Sequence, residues 1–266
     1  EDRGTPFIIL KNSFRYWAAD PFIFNYNGEL YIFAELYDYI KRKGVIGYCK
    51  WNGVRFGRWK KVIEEDYHLS YPYIFEHDGD VYVMPESGAK GDLHLYRAVA
   101  FPDKWETSTI LRENVIFGDT TPFIWKQHTY ALTYDVSDSE EYKLMLLNLQ
   151  NSENDCAVQV GDPELRRPAG KHFLYSGMHI RPAQNCKGDY GKGLLFYQYS
   201  VGRGLFSEKC IDMISPQDLH YSRRIVLDGL HTYNATDSFE VIDIKTRRLN
   251  LLNLASRIVG KLRRSL

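Results

Sequence analysis

A chain of 266 residues that is 44% hydrophobic can bury a substantial core, so disorder is excluded, and the length suits a single all-β domain. Its 34 basic residues balance 34 acidic ones, which leaves no whole-chain electrostatic footprint for nucleic acid. Aromatic residues make up 15% of the chain, a share that favours strands and offers flat faces for sugar rings, although packing between sheets accounts for most of them.

The chain opens at Glu1 with no signal peptide, the pattern of a processed or excised piece, and no apolar run is long enough for a spanning helix. Cys49, Cys156, Cys186 and Cys210 lack zinc-type spacing and read as reduced structural thiols of a cytoplasmic protein. Two bridges in a secreted protein are the alternative. No metal and no cofactor is expected, and no nucleotide-binding fingerprint is present.

An internal repeat organises most of the chain. Residues 20–36, DPFIFNYNGELYIFAEL, align without a gap on residues 71–87, YPYIFEHDGDVYVMPES, at an offset of 51. Each copy is an extended apolar run, then Asn27-Gly28 or Asp78-Gly79, then an alternating apolar run. That is a two-residue hairpin, whose turn needs positive φ at both central residues. A third copy begins at Thr121-Pro122 with one residue fewer in the turn. A fourth begins at Arg167-Pro168 and turns at Ser176-Gly177, and a weaker fifth covers residues 230–243. One or two further strand-like stretches follow each hairpin, and no helical pattern separates them. Repeats of about 50 residues with three or four strands each predict the blades of a propeller. The expected fold is all-β: a five-bladed β-propeller over residues 1–248, then a short basic amphipathic helix or tail over 249–266. That tail places Leu251, Leu254, Ala255, Ile258 and Leu262 on one face and offers a peripheral membrane contact, against the plainer reading of a helix packed on the barrel.

In a propeller the innermost strands line a central funnel, so the repeat starts converge. Here they are Asp20, Tyr71, Asp119 to Thr121, Arg166 with Arg167, and His231 with Thr232. The ends of the second strands carry Glu35, Glu86, Tyr134, Gln184 and Asp243 at matching positions, where plain packing would place apolar residues.

The motif Asp20-Pro21-Phe22-Ile23-Phe24 with Asn27-Gly28 resembles the first-blade signature of the five-bladed propellers of glycoside hydrolase families 43 and 32, which carries their catalytic Asp. Asp119 falls where family 43 keeps a second Asp that tunes the acid. The fourth blade, where a general acid Glu is expected, has Arg166-Arg167-Pro168-Ala169-Gly170 instead. A deeper resemblance covers roughly residues 14–243. It runs through Trp17 to Tyr37, Glu64 to Pro72, Met84-Pro85-Glu86-Ser87, Asp119 to Phe123, Arg167 to Gly170, Ile180 to Cys186 and Gly229 to Tyr233. It is similar to the N-terminal propeller domain of plant glucosamine inositolphosphorylceramide transferases and bacterial relatives. The resemblance implies a carbohydrate, sugar-phosphate or glycolipid ligand in glycan or glycolipid biosynthesis, with a fused or partner transferase domain.

Transfer or hydrolysis at an anomeric centre uses two carboxylates. Asp20 is the candidate base or nucleophile, Glu86 the candidate acid and Asp119 the group that tunes it. For Asp20 the plainer reading is a turn cap before Pro21, and for Glu86 and Glu35 a solvated strand end. Trp17, Glu35, Tyr71 and Gln184 are candidate substrate contacts. Arg167 and Arg181 are candidate clamps for a phosphate or carboxylate, against the reading of an inter-blade salt bridge. His231 is a candidate ligand donor or base, against a satisfied structural histidine. The expected function is glycosyl transfer or its substrate recognition. The alternatives are a glycoside hydrolase with a rearranged acid and a non-catalytic glycan-binding module.

Overall fold

The computed structural model describes residues 8–137, 142–159, 161–202, 205–219 and 226–246. Four antiparallel four-stranded sheets follow one another along the chain. Blade one is β1 (Tyr16–Tyr26), β2 (Glu29–Asp38), β3 (Lys43–Lys50) and β4 (Lys60–Ile63). Blade two is β5 (Ser70–His77), β6 (Asp80–Glu86), β7 (Asp92–Ala100) and β8 (Lys104–Glu113). Blade three is β9 (Phe117–Trp125), β10 (His128–Asp135), β11 (Lys143–Asn148) and β12 (Cys156–Ala157). Blade four is β13 (Phe173–Tyr175), β14 (Met178–Asn185), β15 (Gly193–Gly202) and β16 (Leu205–Ile214).

The fifth repeat differs from expectation. It contributes only β17 (Leu227–Ala235) and β18 (Glu240–Thr246), so the described chain has four full blades and one two-stranded sheet, not five blades. That sheet still closes a ring, because β17 lies against β1 on one side and against β14 and β15 on the other. Among the described residues no helix is long and apolar enough to cross a membrane. The amphipathic helix expected over 249–266 lies outside the described residues.

The tight hairpins form where the chain accepts two successive positive φ values: Asn27-Gly28, Asp78-Gly79, Lys126-Gln127 and Ser176-Gly177. The third corrects the sequence alignment. Its turn is not one residue shorter, because Trp125 pairs with His128 just as Tyr26 pairs with Glu29 and His77 with Asp80. The proline has moved instead. Counting back the same six residues from Tyr26, His77 and Trp125 reaches Asp20, Tyr71 and Asp119, so Asp119 and not Thr121 stands level with Asp20.

Apolar side chains on the sheet faces bury one another between blades. Phe22, Phe33, Tyr71, Ile74 and Val83 form one such cluster, capped by Phe101 and Trp105. Each large side chain sealed in this way contributes about 1.5–3 kcal/mol. All four cysteines are free, and Cys156 and Cys210 lie at the surface rather than in the core.

Candidate functional site

The pleat of an innermost strand would normally send alternate side chains into the neighbouring blades. A bulge interrupts that pattern in each of β1, β5, β9 and β17 at the same level. Asp20 stands between the pairs Ala19–Glu35 and Phe22–Phe33, and Tyr71 between Ser70–Glu86 and Tyr73–Met84. Asp119 stands between Gly118–Tyr134 and Thr121–Leu132, and His231 between Leu230–Ile244 and Tyr233–Ile242. A bulged residue leaves the ladder and its side chain is re-aimed. The first three of these residues hold φ of 49°, 44° and 51°, a conformation that costs about 1–3 kcal/mol for a residue with a Cβ. Strain repeated at one level in three blades is maintained by what it positions.

Hydrogen bonds at this level pass from blade to blade. The Tyr71 N–H donates to Asp20 Oδ2 (3.2 Å), and the Asp119 N–H donates to Glu86 Oε2 (3.1 Å). Gln184 Nε2 donates to Asp119 Oδ2 (2.7 Å), the Tyr233 N–H to the Ala169 carbonyl (2.7 Å), and the Asp20 N–H to Asp243 Oδ2 (3.0 Å). The Tyr71 hydroxyl and Thr121 Oγ1 meet at 2.8 Å. Glu35, Glu86 and Tyr134 share one rung of the second strands, opposite Ala19, Ser70 and Gly118. Gln184, six residues into β14 as Glu35 is into β2, continues that rung. Asp243 falls one residue short of it, since Ile244 pairs with Leu230, yet its carboxylate still reaches the Asp20 amide and His231.

Two cations organise the acids. His231 Nδ1 lies 2.8 Å from Asp20 Oδ1 and 3.4 Å from Asp243 Oδ2, and its Nε2 makes a short contact with the Tyr190 hydroxyl. The Asp20 Oδ1 contact is close but not aligned as a hydrogen bond. Burial opposes the imidazolium, but Asp20, Tyr190 and Asp243 outweigh it and hold His231 protonated well above its usual range. Arg167 Nε donates to Asp119 Oδ2 (2.6 Å) and Nη2 to Glu86 Oε2 (3.2 Å), with the guanidinium over the Tyr190 and Tyr134 rings. Gly118 makes this possible, because a Cβ there would sit 3.1 Å from Arg167 Nη2 and 3.2 Å from Glu86 Oε2.

The acids outnumber these cations, and the balance shows in their strengths. Burial raises the Glu86 carboxyl to about 7, with Arg167 opposing and Asp119 reinforcing. Burial and then the Asp20 and Glu86 charges carry Glu35 well above the carboxylate range. Asp20 is also raised, chiefly by burial, against the pull of His231.

Asp20, Glu86, Asp119, Glu35, Tyr71, Arg167, Gln184 and His231 are therefore brought to one funnel. Trp17 stands at its mouth, two residues outward from Ala19 and 44% exposed, its ring 5.9 Å from that of its register partner Tyr37. Arg181 is not brought there. It is fully buried, with Nε and Nη2 on Glu208 (2.5 and 2.9 Å) and its guanidinium over Tyr197. Arg166 shares Glu208 at 3.4 Å. Arg181 is thus held by Glu208 and Arg167 by two carboxylates, while Arg166 Nε and Nη1 are buried without a hydrogen bond.

Asp20, His231 and Asp243 place ligand atoms within 4.8 Å of one another, close enough to share a cation. Asp20 and His231 also meet each other directly at 2.8 Å as an ion pair.

Sequence reasoning missed Tyr190 and His68. Tyr190 stands in the β14–β15 loop between Gly188 and Gly191, both at positive φ, and Lys245 fixes that loop by bonding Asp189 and the Tyr190 carbonyl. A tyrosine between two close glycines after the fourth blade's second strand was the available signal. His68 lies in the segment leading into β5, and its Nδ1 accepts from the Gly44 N–H (2.9 Å).

The fold resembles those of solved glycosidases at the level of architecture alone. An α-L-arabinofuranosidase from Lactobacillus brevis superposes with a TM-score of 0.59 at 10% identity, covering 90% of this chain and 86% of that one. The catalytic domain of a Coprinopsis cinerea GH62 α-L-arabinofuranosidase gives 0.63 at 9% identity, covering 87% and 81%. Curated relatives are nearer in sequence. Glucosamine inositolphosphorylceramide transferase 1 of Arabidopsis thaliana is 30% identical over 228 residues, 78% of this chain and 28% of the relative. The protein of the same name from Oryza sativa subsp. indica is 26% identical over 193 residues, 68% of this chain and 26% of the relative. The chain thus spans about a quarter of the length of those relatives. A family profile described as Glucosamine inositolphosphorylceramide transferase 1, N-terminal, matches residues 11–212, and with that extent of match the chain belongs to this family.

Proposed function

We propose that this propeller recognises the sugar portion of a substrate for glycosyl transfer in glycolipid or surface-glycan synthesis. The observation that carries the reading is the ring of Asp20, Glu35, Glu86, Asp119, Arg167 and His231, drawn from every blade, beneath an aromatic mouth. Sugar hydroxyls both donate and accept. A funnel that alternates carboxylates with a guanidinium and the Tyr190 hydroxyl matches them with charge-assisted hydrogen bonds. Trp17 supplies a face for ring stacking. The names of the curated relatives support a glycolipid context. With Arg167 and Arg181 both held by carboxylates, we take the sugar and not a phosphate to be the part recognised. The transferase chemistry itself would come from a further domain, fused or partnered.

A glycoside hydrolase is the second reading, favoured by one observation: a carboxyl at about 7 suits a general acid, and that is Glu86. Against it, Arg167 ties Glu86 and Asp119 together, and Asp20 is paired with His231.

Purified protein titrated with a panel of soluble hexosamine-, uronate- and inositol-containing glycans, alongside Asp20→Asn, separates the readings. Recognition predicts selective binding weakened at least about tenfold by Asp20→Asn, the loss of one hydrogen bond to a charged group, with no turnover of aryl glycosides by either protein. Turnover abolished by Asp20→Asn would transfer the assignment to hydrolysis. Binding that Asp20→Asn leaves intact would remove the funnel from the account.

A further inference from the structure

Outside the acid ring, the rim of blade one carries large exposed apolar side chains. The Tyr39 N–H donates to the Arg15 carbonyl (3.2 Å), which extends the β1–β2 ladder one pair past Tyr16 and Asp38. Phe14 and Ile40 follow that pair at the same end, 78% and 62% exposed. Trp17 stands just inside them at the funnel mouth. Scattered exposed apolar residues are ordinary, whereas a cluster at one rim marks a contact surface.

The charges around this cluster suit an anionic partner. Ile40 leads into Lys41-Arg42-Lys43. Asp38 and Glu64 are already neutralised, by Arg15 (2.6 Å) and by Lys41 with Lys61, and Arg42 is exposed with no ion pair among the described residues. The larger charge lies in the sequence after β18. That strand lies against β1, and its last residue, Thr246, pairs with Leu227 beside Lys245, which holds the Tyr190 loop at the funnel. The chain therefore leaves the described residues on the side where Phe14 and Ile40 stand. Residues 247–266 hold Arg247, Arg248, Arg257, Lys261, Arg263 and Arg264 and no acid, so the other 28 basic residues of the chain face all 34 acidic ones. A body of net negative charge approaches an anionic surface only with its cationic end foremost. The charge distribution thus selects the mouth side.

We propose that the funnel mouth rests on an anionic lipid surface, with Phe14 and Ile40 entering the interface, Trp17 at the level of the headgroups, and residues 247–266 supplying the electrostatic attraction. The two contributions act together in such binding: basic residues draw a protein to negatively charged headgroups, and apolar side chains anchor it there. A tryptophan, apolar in its body and polar at its N–H, suits the boundary between the two zones. The funnel then opens toward the headgroup plane. This contact surface is separate from the acid ring and does not depend on a sugar entering the funnel.

The test is flotation of the intact chain with phosphatidylcholine vesicles and with vesicles of phosphatidylcholine and phosphatidylserine in equal shares, at low and at high salt. The chain is expected to float with the anionic vesicles alone and to be released by salt, which screens the attraction. Phe14→Ser combined with Ile40→Ser should weaken that binding at least about tenfold, the loss expected when even one large apolar side chain is no longer buried. The urea midpoint of the double variant should match that of wild type, because both positions are exposed. No flotation with anionic vesicles overturns the proposal, and that outcome does not depend on a variant. Equal flotation with neutral vesicles overturns it as well. So does binding that the double substitution leaves intact, since residues 247–266 would then hold the lipid without the mouth. A dimer in lipid-free solution that the double substitution dissociates would assign the patch to a second copy of the chain and overturn it too.

Discussion

Glu86 is an acid whose strength is set by its neighbours, and the ring makes that measurable. In the folded chain it rises to about 7 from an ordinary value of 4.5, so the native state holds a proton that the unfolded chain releases between those values. Its contribution to stability is therefore fully present below about pH 4.5 and is lost as the pH rises through 7. Urea unfolding of wild type and Glu86→Gln at pH 4.5 and 7.5 should show wild type losing stability relative to the variant, by at most about 3 kcal/mol. A constant difference between the two proteins would mean that Arg167 keeps Glu86 ionised throughout. Sequence alone identified Asp20, Asp119 and His231 because repeat starts must converge when a ring closes. It could not separate Arg167 from Arg181, since the choice depends on which arginine meets Glu208 across β15 and β16 and which meets Asp119 across the blade gap. Tyr190 escaped because a loop residue has no repeat partner to mark it.

At the scale of the element, the hairpins were legible where glycine occupies the second turn position and misread where it does not. Lys126-Gln127 performs the same turn as Asn27-Gly28 with φ of 46° and 68°, values that side chains with a Cβ adopt at a cost. Aligning prolines across that gap displaced the start of the third blade by two residues and set Thr121, rather than Asp119, beside Asp20. Replacing Lys126-Gln127 by Asn-Gly should stabilise the protein by about 0.5–1 kcal/mol, read as a higher urea midpoint with an unchanged slope. A lower midpoint would mean that these side chains hold the hairpin by contacts that outweigh its strain. The bulges that aim Asp20, Tyr71 and Asp119 left no such signature. Neither Tyr71 nor Asp119 is a residue type that demands positive φ, so only the paired register on both sides exposes them.

For the whole molecule, a ring was predictable from the repeat, and a fifth member with only two strands among the described residues was not. Two strands suffice for closure because the contacts that matter are made by β17: its Tyr233 N–H reaches the Ala169 carbonyl, and Asn234 bridges the Pro21 carbonyl and the Lys171 N–H. Closure brings an acidic level, two cations and an aromatic mouth together, and the ligand is assigned to the side where they meet. The direct test is the crystallographic position of a saccharide bound to the protein. The sugar should lie inside the ring, within hydrogen-bond distance of Asp20, Glu86 or Arg167, with a ring face toward Trp17. A sugar bound on an outer blade face, with the funnel residues untouched, would contradict the account.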